Sequence, residues 1–444
     1  MSHHHHHSHH QPSLDRRSFL RLGGMGLASA LVSAATPGIA LAATPGGAQK
    51  TFIHVFMRGG ADSLQFFPPA DDPNYQAKRP TTRIASKSVS GANSALDFIG
   101  KWQLNPLLAP LQGIPNLTLA PGVSFEGNNR SHFDCQKWIE RGYNNEQANE
   151  TGLFNRYLQI AQPVGPVQGI SAGSGKMPYS LFGPAPTVAI STLESFAISN
   201  NSYANGTATA AEDALRGVIA QMKDTQNTLG LTRRAEASML DAIVLARQVA
   251  QSAPLTQTFS KTSQGQGLRL IAQLLKANVP VSIAAIDWSN PLWDTHSSLP
   301  GTNNTANVNI GYNMAIANGA SDLLAFYNEL GPDLMKNVVV LVGSEFGRTI
   351  QENGTGGTDH GVGGSWFAFG GSVPKGHNLL ASADYAIADV LKLGPSGGDY
   401  FIPFKANIKD LMGEIMVKHL GLDSSQLVNL FPNHSFTDNK MLAA

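Results

Sequence analysis

Residues 51–57 (TFIHVFM) are largely apolar and end abruptly in Arg58-Gly59-Gly60-Ala61-Asp62, and this form returns three more times along the chain. Residues 117–123 and 281–286 repeat it, the latter closing on Asp287, and residues 338–342 (VVVLV) close on Gly343-Ser344-Glu345. Strands that are apolar at nearly every position are covered on both faces. Helical patterns fall over 133–141, 210–225, 233–251, 268–277, 313–328 and 408–419. Such alternation predicts an α/β fold, a mostly parallel central sheet with helices on both faces. In open sheets of this kind ligands sit outside the carboxyl ends of the strands, where these polar turns fall. The stretch 192–254 breaks the rhythm and reads as a helical insertion.

The first ten residues, MSHHHHHSHH, read as an expression tag and hold seven of the 14 His, leaving few for a metal site. Residues 11–42 have the form of a twin-arginine export signal, with Arg16-Arg17 in DRRSFLR, a short apolar run and a small-residue Ala40-Leu41-Ala42. The expectation is one domain over 43–444, periplasmic or secreted. The signal run is short and broken by Gly and Pro, and no later stretch approaches the roughly 20 apolar residues of a spanning helix, so no membrane span is expected. Lys+Arg and Asp+Glu both total 31, which leaves no electrostatic footprint for nucleic acid. Cys135 is the single cysteine, so no internal disulfide can form.

Five clusters at the predicted strand ends carry chemistry. Asp294 and His296, two apart in an extended segment, point the same way and suit one divalent ion, or else are a capping acid beside a surface imidazole. In residues 354–364 (GTGGTDHGVGG) the glycines describe a loop whose backbone approaches something closely, with Asp359 and His360 set in it. Glu345 can bind metal or orient a ligand His, and the fork of Arg348 suits an oxyanion, unless the two simply pair. Arg130-Ser131-His132 opens a helix, where Ser131 is a nucleophile at an anion-binding N-terminus or only its cap. Asp62 follows two glycines that can aim it back over the strand end, or it closes an Asx-turn.

The segments RGGADSL, LNPLLAPL, NNRSHFDCQKWIERG, TGLFNRYL, WDTH, SEFGRT, GTDHGVGG and LGLDSSQLVNLFPN, in this order, closely resemble the bacterial exported family called domain of unknown function 1501. That family in turn looks like a distant relative of the alkaline phosphatase and sulfatase superfamily. The resemblance implies an alkaline-phosphatase-like three-layer sandwich with one or two metal ions at the strand ends. It implies Asp62, Asp294, His296 and His360 as ligands, with Glu345 in place of a late Asp and Phe346 where a second ligand His would stand. GNNRSH resembles a phosphoglycerate mutase turn with Asn129 at the nucleophile's place, leaving Ser131 the nearest hydroxyl. The sulfatase signature is not found around Cys135.

Two functions follow as expectations. The first is an exported metal-dependent hydrolase of a phosphate or sulfate ester, small-molecule or glycan. Zn²⁺ would sit at Asp294, His296 and His360, while Asp62, Glu345 and Asp359 would orient ligands or form an oxygen-rich site for Mg²⁺, Mn²⁺ or Ca²⁺. Ser131, His132, Arg130 and Arg348 would act on the ester. The second is a noncatalytic binding or assembly protein on the same fold with a degraded metal site.

Overall fold

The computed structural model describes residues 49–89, 91, 93–144, 151–163, 168–193, 249, 254–288, 293–301, 310–380 and 401–443. The tag, the export signal, nearly all of the insertion at 192–254, the helix expected over 210–225 and all but Val249 of the one expected over 233–251 lie outside them.

The strands are β1 (Thr51–Phe56), β2 (Leu96–Ile99), β3 (Trp102–Leu104), β4 (Asn116–Ser124), β5 (Gly169–Ala172), β6 (Thr187–Ile190), β7 (Ile283–Asp287), β8 (Val338–Gly343), β9 (Gly364–Gly370), β10 (Gly376–Leu379) and β11 (Ala406–Asn407). All but β2 and β3, a separate antiparallel pair, form one sheet in the order β10-β4-β9-β8-β1-β7-β5-β6, with β11 also on β4. Every pairing in it is parallel except those of β9, which runs antiparallel to both β4 and β8. The four strands expected from apolar runs are present as β1, β4, β7 and β8. The sequence reading missed β5 and β6, four residues each, and β9, which begins inside the glycine-rich segment.

The apolar runs are explained by two cores. On one face Ile53 and Val55 pack with helices Ser263–Lys276 and Ile310–Met335. On the other, Phe52 and Phe56 pack with residues of helices His132–Arg141, Leu153–Ala161 and Ile408–Glu414. This is the expected α/β architecture, a mostly parallel sheet between helical layers. No helix among the described residues is long and apolar enough to cross a membrane.

One buried residue makes this core sensitive to acid. His54 of β1 stacks on Trp366 with ring centroids 5.7 Å apart and on Phe56 at 5.2 Å, and its Nε2 has no hydrogen-bond partner. Burial, reinforced by the Arg58 charge, depresses its pKa to about 3. The folded state therefore holds His54 neutral while the unfolded chain protonates it near 6.5. Its contribution to stability is complete above that pH and falls by up to about 1.4 kcal/mol per unit as pH drops toward 3. Urea midpoints of wild type and His54→Phe, compared between pH 7 and 4, are expected to diverge, with the variant losing less.

Candidate metal centre

Sheet polarity gathers the polar turns. The parallel strands β1, β4, β7 and β8 all end at one edge, and antiparallel β9 begins there, so the segment before Gly364 arrives beside the others. Ser131 caps helix His132–Arg141, its hydroxyl accepting from the Asp134 amide at 3.4 Å, which sets His132 in the first turn. Gly357 has no room for a side chain: a Cβ there would lie 2.3 Å from the His296 carbonyl carbon. The glycine run is thus the close backbone approach that its sequence predicts, and it presses Asp359 and His360 against His296.

Three imidazoles and one carboxylate converge. Asp294 Oδ1 lies 3.1 Å from His360 Nε2, 3.1 Å from His296 Nε2 and 3.4 Å from His132 Nε2. His360 Nε2 is 3.1 Å from His132 Nε2 and 3.0 Å from His296 Nε2. Each ring is held from behind through Nδ1: His132 by Glu345 Oε1 at 2.6 Å, His296 by Asp359 Oδ1 at 2.8 Å, and His360 by the Arg130 carbonyl at 2.8 Å. A carboxylate or carbonyl only accepts, so each Nδ1 carries a proton, and a ring so held presents a lone pair at Nε2 when it is neutral. Neutral rings in this arrangement crowd their lone pairs around a carboxylate oxygen with no proton to share. A cation among them resolves the conflict.

The spacing supports that reading. Nitrogen and oxygen ligands about 2.0–2.1 Å from a tetrahedral ion are about 3.3–3.4 Å from one another. His132, Asp294 and His360 make such a triangle and form a group able to hold a metal ion. His296 completes a second triangle on the shared His360–Asp294 edge. His296 stands beside the group of His132, Asp294 and His360 and is not part of it.

Electrostatics follow from the same contacts. Burial alone would raise the Asp294 pKa, but Arg348 outweighs it and holds the carboxyl well below its usual range. Burial lowers that of His360, with help from Arg348 and His132. In His132 burial is overcome by Glu345, which raises it, and Glu345 is itself lowered against burial by His132 and Gln136. Glu345 is fully buried and also accepts from the Gly59 amide at 2.9 Å and Gln136 Nε2 at 2.7 Å. Its orientation is over-determined, so it fixes the His132 ring from behind. Glu345→Gln, which can offer an N–H to Nδ1, is expected to weaken ion affinity by roughly 10–100-fold in competition with a chelating dye.

Three residues stand elsewhere than the sequence suggests. Asp62 is buried away from the imidazoles: Arg79 meets its two oxygens at 3.0 and 3.1 Å, Thr358 Oγ1 donates at 2.9 Å, and it caps a short helix through the Leu64 amide. Its carboxylate is fully used, as the Asx-turn alternative required. Arg348 does not face an oxyanion, because its guanidinium is buried against Asp294 and backbone carbonyls. His132, expected beside an ester, instead offers a ligand atom. Phe346, at the place of an absent ligand, lies against the rings of His132 and His360 at 4.7 and 4.9 Å and supports them. Gln136 and Arg79 were not anticipated, and nothing in their sequence neighbourhoods singles them out.

The model of a protein family of unknown function, DUF1501, matches residues 194–431, more than half of the chain. The chain belongs to the DUF1501 family. The matched span includes Asp294, His296, Glu345, Arg348, Asp359 and His360. A search of curated proteins gives no match to this DUF1501 member. Among solved structures it is similar to the alkaline phosphatase of the Antarctic bacterium TAB5, at 12% identity over 75% of this chain and 95% of that one, with a TM-score of 0.32. It is also similar to the C-terminal periplasmic domain of EcEptC from Escherichia coli, at 11% identity over 88% and 89%, with a TM-score of 0.37. Likeness at this distance carries no assignment of activity.

Proposed function

We propose that this DUF1501 protein is an exported metal-dependent hydrolase of a phosphate or sulfate ester. The observation that carries the reading is the convergence of His132, His296, His360 and Asp294 at an exposed strand edge, each imidazole fixed by a partner behind it. Two nitrogens and one oxygen, from His132, His360 and Asp294, suit Zn²⁺ better than Mg²⁺ or Ca²⁺, which favour all-oxygen shells. A divalent ion held there supplies Lewis-acid polarisation of an ester oxygen and acidifies a neighbouring hydroxyl.

The chain's own groups supply the rest. Ser131 places its hydroxyl beside a ligand residue, at the positive end of a ten-residue helix, where a developing anion is stabilised. Arg130, exposed and with φ of 64°, gives its carbonyl to His360 while its guanidinium lies 5.7 Å from the Phe401 ring centroid. That stacking leaves the guanidinium edge for a non-bridging ester oxygen. The residues of the export signal lie outside the described structure, and export rests on their sequence form.

Turnover tests the proposal. Tag-free, zinc-loaded protein is expected to hydrolyse at least one of an aryl phosphate monoester, an aryl phosphate diester or an aryl sulfate, to lose activity to a chelator and to regain it with zinc. No turnover on any of them, with zinc demonstrably bound, would favour the noncatalytic binding reading, which the neutralisation of Asp62 by Arg79 also supports. Ser131→Ala is expected to lose activity at a stability cost of about 1 kcal/mol, the usual worth of a cap. Unchanged turnover in that variant would leave Ser131 as a cap only.

A further inference from the structure

Next to the imidazole cluster is a second cage, and it already contains a cation. Arg348 Nε donates to the Gly60 carbonyl at 2.6 Å and Nη1 to the Thr358 carbonyl at 3.3 Å. Nη2 donates to the carbonyls of Gly59 at 2.9 Å and Trp293 at 3.3 Å, and to Asp294 Oδ1 at 2.5 Å. Four backbone carbonyls and one carboxylate oxygen around a fully buried charge are the donor set that a hard divalent cation takes from a protein. The neighbouring acid is compensated in the same manner, since Arg79 neutralises Asp62, and Thr358 links the two pairs through its hydroxyl and its carbonyl.

We propose that Arg348 is a resident cation that fills this oxygen cage, shares Asp294 with the ion site and so keeps the centre mononuclear. Asp294 carries one negative charge, and Arg348 meets it from within the chain. The acids behind the imidazoles, Glu345 and Asp359, pair among the described residues only with ligand His. Their two negative charges match one divalent ion. Removing the guanidinium would leave a cavity lined by oxygens beside an under-compensated carboxylate, which a hard ion can enter.

The inference rests on the proposed ion site, and the test keeps the two apart. Full-length, tag-free protein is freed of metal, equilibrated with zinc and calcium, and its bound ions are counted by elemental analysis after gel filtration in the same buffer. Wild type and Arg348→Lys are expected to hold one zinc and no calcium, with thermal midpoints indifferent to calcium. Arg348→Ala is expected to gain one calcium and a midpoint that rises with calcium concentration. Should it purify unfolded, refolding on addition of calcium is the equivalent result, and failure to refold at any calcium concentration overturns the proposal. An unchanged ion count with a calcium-insensitive midpoint in Arg348→Ala also overturns it, as does wild type binding calcium alongside zinc. Wild type without zinc removes the ion site itself, whereas calcium uptake by Arg348→Ala is read independently of zinc.

Discussion

Replacing His360 by alanine is expected to reduce ion affinity by well over a hundredfold. Its Nε2 is the one atom within 3.1 Å of His132, His296 and Asp294 alike, so its loss opens both triangles together. Partners behind a ligand typically account for 10–100-fold in affinity, and a ligand shared by the whole cluster exceeds them. Competition with a chelating dye measures the change directly. An affinity within tenfold of wild type would mean that the ion is held elsewhere.

The largest expected loss of stability lies one layer below. Arg79→Met removes the only cation in contact with Asp62 among the described residues and leaves a fully buried carboxylate with two neutral donors, the Leu64 amide and Thr358. Breaking a buried pair on one side costs about 3–5 kcal/mol, because the surviving charge stays desolvated. Urea unfolding is expected to show that loss, and the double variant Arg79→Met with Asp62→Asn to recover much of it. A single variant within about 1 kcal/mol of wild type would show that water reaches Asp62.

The contrast between these two sites explains what could be read from the sequence. Asp294 and His296 are two residues apart after an apolar strand, and Ser131 stands where a helix must begin, so local rules suffice for both. His360 was placed near them because a glycine-rich loop with an acid and an imidazole is an unusual loop. The role of His132 was not accessible in that way. It depends on β9 running antiparallel, which delivers His360 Nε2 to within 3.1 Å of a helix 228 residues earlier. The strand itself was hidden, because Gly364 and Gly370 bound it and Ser365 breaks its apolar run. The guanidinium partners were hidden for a plainer reason. Arg79 and Asp62 lie 17 residues apart, Arg348 and Asp294 lie 54 apart, and charges at such separations obey no periodicity.

The position of β1 bears on how the chain acquires this structure. It precedes every other strand among the described residues, yet it lies in the interior of the sheet, in register with β7 from Phe52↔Ile283 and with β8 from Thr51↔Val338. Neither neighbour exists until most of the polypeptide has been synthesised, and β1 cannot pair with the strands made in between without excluding its proper partners. A ribosome building this protein therefore releases an apolar segment that must wait, with both hydrogen-bonding edges open, for well over two hundred residues. Closure of the sheet, and with it assembly of the imidazole cluster, is confined to the end of translation. Truncated chains ending before β8 are accordingly expected to need a holding chaperone, while the finished chain needs none once β1 is enclosed.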